Sequence, residues 1–271
     1  MSLSFALSDA SITVAQAATV ALPRAARVRS LVRLRSRWWA AAPPLAIVAY
    51  VALVRADPGV AMLLAYGALP ALPSLAAFAL ARGIRGAAPR AALLVLPLFA
   101  LAWVERGSLE GQVAGLAIAV LAAVGLAGAL TQMVPLRWLA IGMLLMAAVD
   151  ATLMVAHVLQ PADALVRITQ PGGGLPELQS TVFGSVVIGF GDFFIAALFG
   201  AFLAARRERQ LPAALVTLAF ALSFDLLFLV AHNLPATVPV AAALVVVEVR
   251  GRWRRRPGRV AVPAPAPATL S

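Results

Sequence analysis

Cysteine is absent from all 271 residues, which excludes disulfide bonds, a thiol nucleophile and any cysteine-ligated metal. Lysine is also absent, so all 22 basic residues are arginine. Charged residues make up only 12% of the chain, whereas hydrophobic residues make up 62% and the mean hydropathy is +0.94. This balance excludes the soluble globular classes and predicts an all-α polytopic membrane protein.

The formal net charge of +11 would suggest nucleic acid in a soluble protein. Here the arginines cluster in the gaps between apolar runs, where they indicate membrane orientation instead, so we expect a lipid bilayer and no nucleic acid as partner. The heavy use of Arg, Ala, Gly and Pro suggests GC-rich codons and a bacterium. We therefore expect a multi-pass protein of the bacterial plasma membrane.

The apolar runs predict eight transmembrane helices. They are Trp38–Val54, Pro58–Ala81, Ala91–Val104, Val113–Val134, Leu136–Leu159, Val182–Ala205, Leu211–Ala231 and Pro235–Val249. Residues 1–37 form a basic N-terminal segment, expected to be cytoplasmic and interfacial. If its weakly apolar part, Phe5–Leu22, also crosses the membrane, the count becomes nine and the N-terminus lies outside. Residues 250–271 form a basic tail rich in Pro and Ala, expected to be disordered.

The distribution of arginine predicts the orientation of these spans. With eight spans and a cytoplasmic N-terminus, nineteen arginines fall on the cytoplasmic side and three fall outside. Such a strong bias follows the positive-inside rule and predicts a cytoplasmic C-terminus. The transmembrane domain, 38–249, then has its fifth span running outward and its sixth running back.

Two aspartates interrupt these last spans. Asp150 lies nine residues before Leu159, and Asp192 lies ten residues after Val182. If both runs are helical, the two carboxyls lie at similar depths, about 14 and 15 Å from the outer face. A bare Asp costs roughly 2.5–3.5 kcal/mol at the centre of a membrane helix, so we expect the two residues to face each other rather than lipid.

Paired carboxyls a few ångströms apart hold one proton between them at neutral pH. One carboxylate can then take a proton from water while its protonated partner donates to a developing oxyanion. This is the chemistry of an aspartic protease, which needs no metal and no other cofactor. Gly189 and Gly191 suit it, since they allow a neighbouring helix or an extended substrate backbone to approach.

At these residues the chain resembles the presenilin and signal peptide peptidase family of intramembrane aspartyl proteases. Gly189-Phe190-Gly191-Asp192 matches the family's Gly-x-Gly-Asp motif, and Val149-Asp150 stands where Tyr-Asp is expected. Leu234-Pro235-Ala236-Thr237 resembles the Pro-Ala-Leu site, with Thr237 in place of Leu. The resemblance covers about 136–249, the catalytic part of the transmembrane domain.

The resemblance implies a presenilin-like helical bundle that cleaves transmembrane helices of membrane proteins or signal peptides. Asp150 and Asp192 would be its catalytic dyad. Substrate would bind at the two motifs, through Gly189, Phe190, Gly191, Leu234, Pro235, Ala236 and Thr237. The predicted orientation resembles that of signal peptide peptidase, which implies substrates of type II membrane orientation.

Several alternatives remain open. Asp225, about six residues from the outer end of the seventh span, is either an accessory to the dyad or an interfacial residue. His157 and His232 have no metal-ligand spacing, so no metal site is predicted. A prepilin-peptidase-like protease also uses Gly-x-Gly-Asp, although a Lys-containing segment usually follows it there. A proton- or ion-coupled transporter could pair aspartates at the midplane, and the chain could be an inactive relative.

Overall fold

The computed structural model describes residues 3–26, 28–57, 59–156, 174–226 and 235–255 of the chain. It is mostly helical, about 80%, as the composition predicted. The α-helices are α1 (Leu3–Ala21), α2 (Arg29–Arg33), α3 (Ala42–Ala56), α4 (Gly59–Phe78), α5 (Val95–Val104), α6 (Leu109–Met133), α7 (Leu136–Val155), α8 (Phe190–Ala205), α9 (Gln210–Asp225) and α10 (Thr237–Arg255). Three of them are extended by short helices of another type: 3₁₀-helices at Arg37–Ala41 and Pro89–Leu94, and a π-helical turn at Ala79–Gly83.

Four helical stretches in the described part of the chain are long and apolar enough to cross a membrane. They are Arg37–Ala56, Gly59–Gly83, Leu109–Met133 and Leu136–Val155, and they coincide with four of the predicted spans. Three further apolar helices are shorter, at Pro89–Val104, Phe190–Ala205 and Gln210–Asp225. A membrane protein with several crossings is thus compatible with the fold, and the full count of eight or nine spans stays a prediction.

The predicted sixth span, Val182–Ala205, is wrong in its first third. Strand β1 (Ser180–Phe183) pairs antiparallel with strand β2 (Val186–Gly189), and the helix α8 begins only at Phe190. Two residues, Gly184 and Ser185, form the turn, and Gly184 has a φ of +59°. Glycine as the first residue of a two-residue turn, between segments rich in β-branched and aromatic residues, favours a hairpin, and the apolarity of the segment concealed this pattern.

Helix α8 is the central element of the bundle. Its residues from Phe193 to Leu203 are all buried, and it contacts α1, α6, α7, α9 and α10. A helix that is apolar on every side suits either lipid or the interior of a bundle, and here other helices surround it. The Gly-x-Gly-Asp motif therefore enters the middle of the bundle, at the N-terminal end of α8.

The N-terminal segment is a component of this bundle, which corrects the expectation of an interfacial helix. Helix α1 packs against both α8 and α9, and it buries apolar and polar side chains alike. At the closest approach, a Cβ added at Gly200 would lie 2.2 Å from the carbonyl oxygen of Val20. Two of the polar residues that argued against a span in the sequence, Thr13 and Gln16, have hydrogen-bond partners outside α1.

Some sequence predictions concern positions outside the described residues. These are Leu234 of the predicted substrate-binding set, the two histidines His157 and His232, and the tail from residue 256 onward.

Candidate active site

Asp150 lies near the end of α7 and is buried, with 8% of its surface exposed. The hydroxyl of Thr237 donates a hydrogen bond of 2.6 Å to its Oδ2. Thr237 is the first residue of α10 and is itself only 2% exposed. The residue that replaces the expected leucine of the Pro-Ala-Leu motif thus fixes the side chain of Asp150, as a leucine could not.

Asp192 occupies a different environment, in the first turn of α8. Gly189 caps this helix with extended backbone, so Asp192 is its third residue and half-buried. The N-terminus of a helix carries partial positive charge, which favours a carboxylate there. The predicted depth of ten helical residues is therefore wrong, because residues 182–189 belong to the hairpin and a strand advances differently from a helix.

A cavity of about 120 Å³ lies beside Asp192. Its walls come from α1, β2, α9 and the start of α10. The polar lining residues are Asp9, Thr13, Gln16, Asp192 and Asp225. A volume of this size accommodates several water molecules, each of which needs roughly 10–15 Å³ on this measure, and the polar walls offer hydrogen-bond partners. The site can therefore hold the water that a hydrolytic reaction consumes.

Asp150 does not line this cavity, yet it lies next to the segments that do. Met146, one helical turn before Asp150, would be 3.9 Å from a Cβ added at Gly191. On the other side, Thr237 binds Asp150 and its neighbour Ala236 lines the cavity with Asp192. Thr237 therefore contacts Asp150 directly, and the adjacent Ala236 borders the same cavity as Asp192.

The residues of the two motifs differ in what they do. Gly189 and Gly191 are exposed, and a Cβ at either would make only ordinary contacts, so no packed helix requires a glycine there. Phe190 is half-buried and stacks on Phe194, with 6.4 Å between ring centroids. The carbonyl of Pro235 accepts a hydrogen bond from the N–H of Val238, forming the turn that starts α10.

Asp225, predicted to be either an accessory or an interfacial residue, lies at the cavity. It is the last residue of α9, it lines the cavity with Asp192, and its Oδ2 accepts a hydrogen bond of 3.0 Å from Thr13. Among the described residues, no group of His, Asp or Glu side chains is arranged to hold a metal ion.

The sequence did not point to α1 as part of the site. Asp9, Thr13 and Gln16 recur at intervals of four and three residues, so they share one face of the helix. That spacing, in an otherwise apolar segment, was a signal of a polar face directed at other protein. The Nε2 of Gln16 donates to the carbonyls of Asp192, at 3.2 Å, and Ala236, at 3.0 Å.

Comparisons of the chain with protein-family models, with curated proteins and with solved structures found no match. The case for a function therefore depends on the arrangement of these side chains and on the two motifs.

Proposed function

We propose that this protein is an intramembrane aspartic endopeptidase, with Asp150 and Asp192 as its catalytic residues. The observation that carries the proposal is that Thr237 binds Asp150 while the adjacent Ala236 borders the polar, water-sized cavity that Asp192 lines. The resemblance to the presenilin and signal peptide peptidase family supports it, because its motifs converge at this place.

In the proposed reaction the dyad holds one proton. The ionised aspartate takes a proton from water as the water oxygen bonds to the peptide carbonyl carbon, and the protonated aspartate donates its proton to the carbonyl oxygen. Collapse of the tetrahedral intermediate breaks the C–N bond, and the amine leaves with a proton from the dyad. Asp192 borders the cavity and is the better placed of the two to contact the attacking water. No cofactor takes part.

The substrate would be a transmembrane helix or signal peptide, unwound around the scissile bond. Val186, Val187 and Ile188 of β2 border the cavity, and a strand edge offers N–H and C=O groups to an extended backbone. The exposed Gly189 and Gly191 leave room for that backbone near Asp192. Pro235, Ala236 and Thr237 would shape the other wall.

The proposal includes the topology of a bacterial plasma-membrane protein with a cytoplasmic C-terminus and a presenilin-like bundle. It adopts nine spans, since α1 has 19 residues and is about 28 Å long, close to the thickness of a hydrocarbon core. The N-terminus then lies outside, and every later span keeps its predicted direction.

The test is cleavage of a panel of membrane-spanning substrates by reconstituted protein. Asp150→Asn and Asp192→Asn should each abolish cleavage, while thermal unfolding in detergent shows that both variants remain folded. Thr152→Ala is the control and should remain active. Thr152 lies two residues after Asp150, and its hydroxyl donates to the carbonyl of Ala148 in the same helix. Cleavage that survives either Asp substitution would refute the dyad.

A proton- or cation-coupled transporter is the second candidate, because three carboxylates, those of Asp9, Asp192 and Asp225, line one cavity. Membrane carboxylates in a wet cavity are typical of proton relays. Proteoliposomes with a trapped pH indicator distinguish the two functions. Proton movement that is lost in Asp9→Asn and Asp225→Asn, with no cleavage of any substrate, would favour transport.

A further inference from the structure

The amide group of Gln16 connects two segments that lie far apart in sequence. Its Nε2 donates to the carbonyl of Asp192 in the first turn of α8 and to the carbonyl of Ala236 just before α10. Gln16 is 3% exposed and lines the cavity, so these two bonds hold its amide at the cavity wall. One side chain therefore sets the separation of the two segments.

Each of those segments carries part of the proposed dyad. Asp192 belongs to the first, and Thr237, which holds Asp150, follows Ala236 in the second. A continuous path of hydrogen bonds and one peptide unit thus runs from Asp150 through Thr237, Ala236 and Gln16 to Asp192. Movement of Gln16 would change the distance between the two aspartates without contact to either carboxyl.

The rest of α1 is anchored where such a role requires it. The backbone of Val20 packs directly against that of Gly200 in α8, and the hydroxyl of Thr13 donates to Asp225 of α9. Both contacts lie on the same helix as Gln16 and hold it against the two helices that flank the cavity. The position of the amide is therefore fixed by packing as well as by its own two hydrogen bonds.

We propose that Gln16 is a positioning residue for the aspartate pair, and that α1 is an integral part of the catalytic unit. This inference rests on the proposed protease function. Gln16 donates to two backbone carbonyls and to neither reacting carboxyl, so its removal should lower the rate of the chemical step more than the affinity for substrate.

The experiment compares Gln16→Leu with Gln132→Leu in the full-length reconstituted protein. Gln132 is a half-buried glutamine of α6 that does not line the cavity. Its Nε2 donates to the carbonyl of Gly128 and its Oε1 accepts from the N–H of Val28, so its loss controls for removal of a glutamine amide that joins two distant segments. We expect kcat to fall about 100-fold in Gln16→Leu, the loss typical of a displacement of about 1 Å at a catalytic group, with KM within about threefold. Gln132→Leu should change kcat far less.

Hydrogen–deuterium exchange supplies a measurement that does not depend on activity. In Gln16→Leu the amides of residues 190–196 and 237–241 should exchange faster than in the parent and in Gln132→Leu. Equal exchange and equal kcat in the two variants would overturn the inference. If Asp150→Asn and Asp192→Asn retain cleavage, the proposed function fails separately, and the exchange result still decides whether Gln16 joins the two segments.

A second observation is independent of the site: a groove of about 740 Å³ between α7 and α10, with α8 at its base. One end is charged and contains Arg137, Arg206 and Glu248. From there the walls become apolar, through Ile141 and Leu144 on α7 and Leu244 on α10. A groove with a charged end and an apolar channel is complementary to an amphiphilic molecule.

The sign of the charge at this end of the groove determines which kind of headgroup an amphiphile bound there must carry. Arg206 is paired with Glu208, at 3.0 Å, and with Glu248. Arg137 forms no ion pair with the described residues; it is exposed and lies over the ring of Trp138, 5.6 Å from the ring centroid. The groove therefore keeps a positive charge where a headgroup would lie, and basic pockets between membrane helices bind anionic headgroups.

We infer that this groove binds an anionic phospholipid, with its phosphate at Arg137 and an acyl chain along Ile141, Leu144 and Leu244. The test uses nanodiscs of phosphatidylcholine with increasing phosphatidylglycerol, and native mass spectrometry counts the retained lipid. Arg137→Gln should weaken retention of phosphatidylglycerol about fivefold, the effect of one arginine near an anionic lipid. Ala140→Phe, which fills the groove without a change in charge, should also displace it.

Arg90→Gln is the matched control, since Arg90 is exposed on the same predicted side of the membrane but lies outside the groove. It should leave retention unchanged. Equal losses in Arg137→Gln and Arg90→Gln, or retention of phosphatidylcholine as strong as that of phosphatidylglycerol, would show only general attraction to the membrane surface and would overturn the site.

Discussion

The hydroxyl of Thr237 lies 2.6 Å from the carboxyl of Asp150, and both residues are buried. Thr237 is the position at which this chain departs from the Pro-Ala-Leu motif, so the departure creates a contact to a proposed catalytic residue. The start of α10 is thereby tied to the end of α7 by a side chain that sequence comparison alone would count as a mismatch.

Replacing Thr237 by Val should impair the site, because Val keeps the volume and removes the donor. Asp150 would lose its hydrogen bond inside the protein, which costs about 1–3 kcal/mol of unfolding free energy. We expect a lower melting temperature in detergent and at least about tenfold slower cleavage, as expected for 1.4 kcal/mol or more of lost transition-state stabilisation. Thr237→Ser keeps the hydroxyl and should restore both, whereas wild-type behaviour of Thr237→Val would contradict the role of this contact.

Asp225→Asn tests whether the third carboxyl is accessory or catalytic. Asn keeps an oxygen that can accept from Thr13, so the local structure should survive. We expect cleavage to fall by less than about 100-fold, the lower limit of a general acid–base contribution, while Asp192→Asn abolishes it. Initial rates on one substrate give the comparison. Complete loss in Asp225→Asn would place this residue in the catalytic set.

Gly184→Ala should disturb the hairpin that leads to Asp192. Gly184 has positive φ, its N–H donates to the side chain of Gln112, and a Cβ there would lie 2.1 Å from Oγ of Ser8. A left-handed conformation costs a residue other than glycine roughly 1–2 kcal/mol. Cleavage should slow, since β2 borders the cavity, and the melting temperature should fall, since the strain acts on the folded state and Ile188 of β2 belongs to the hydrophobic core. Ser185→Ala, at the exposed neighbour, should have no effect on either measurement.

Gly200→Ala should separate α1 from α8, because its Cβ would lie 2.2 Å from the Val20 carbonyl oxygen. Overpacking of this kind costs about 1–3 kcal/mol. Gly128→Ala on α6 is the control: nothing lies within 4 Å of its added Cβ, and alanine in a helix should stabilise by roughly 0.5–1 kcal/mol. Thermal unfolding measures both, and equal melting temperatures would refute the close packing of α1.

The helical class of the fold could be predicted because hydropathy depends on composition, and four of the predicted spans coincide with long apolar helices. The hairpin could not be predicted from hydropathy, because Val182–Gly189 is as apolar as a span. Its signal was local: the Gly184-Ser185 turn between two short segments rich in β-branched and aromatic residues. The same error removed the depth argument for Asp192, which assumed helix throughout that run.

The sequence by itself determined which residue types are available for chemistry: three aspartates in the last four apolar runs, no cysteine, and few charged residues elsewhere. Only the tertiary structure decided which side chains meet. Thr237 reaches Asp150 across 87 positions, and Gln16 reaches Asp192 and Ala236 across 176 and 220 positions. Buried polar groups must find partners, but which partner each finds depends on how the helices pack, and no local pattern specifies that.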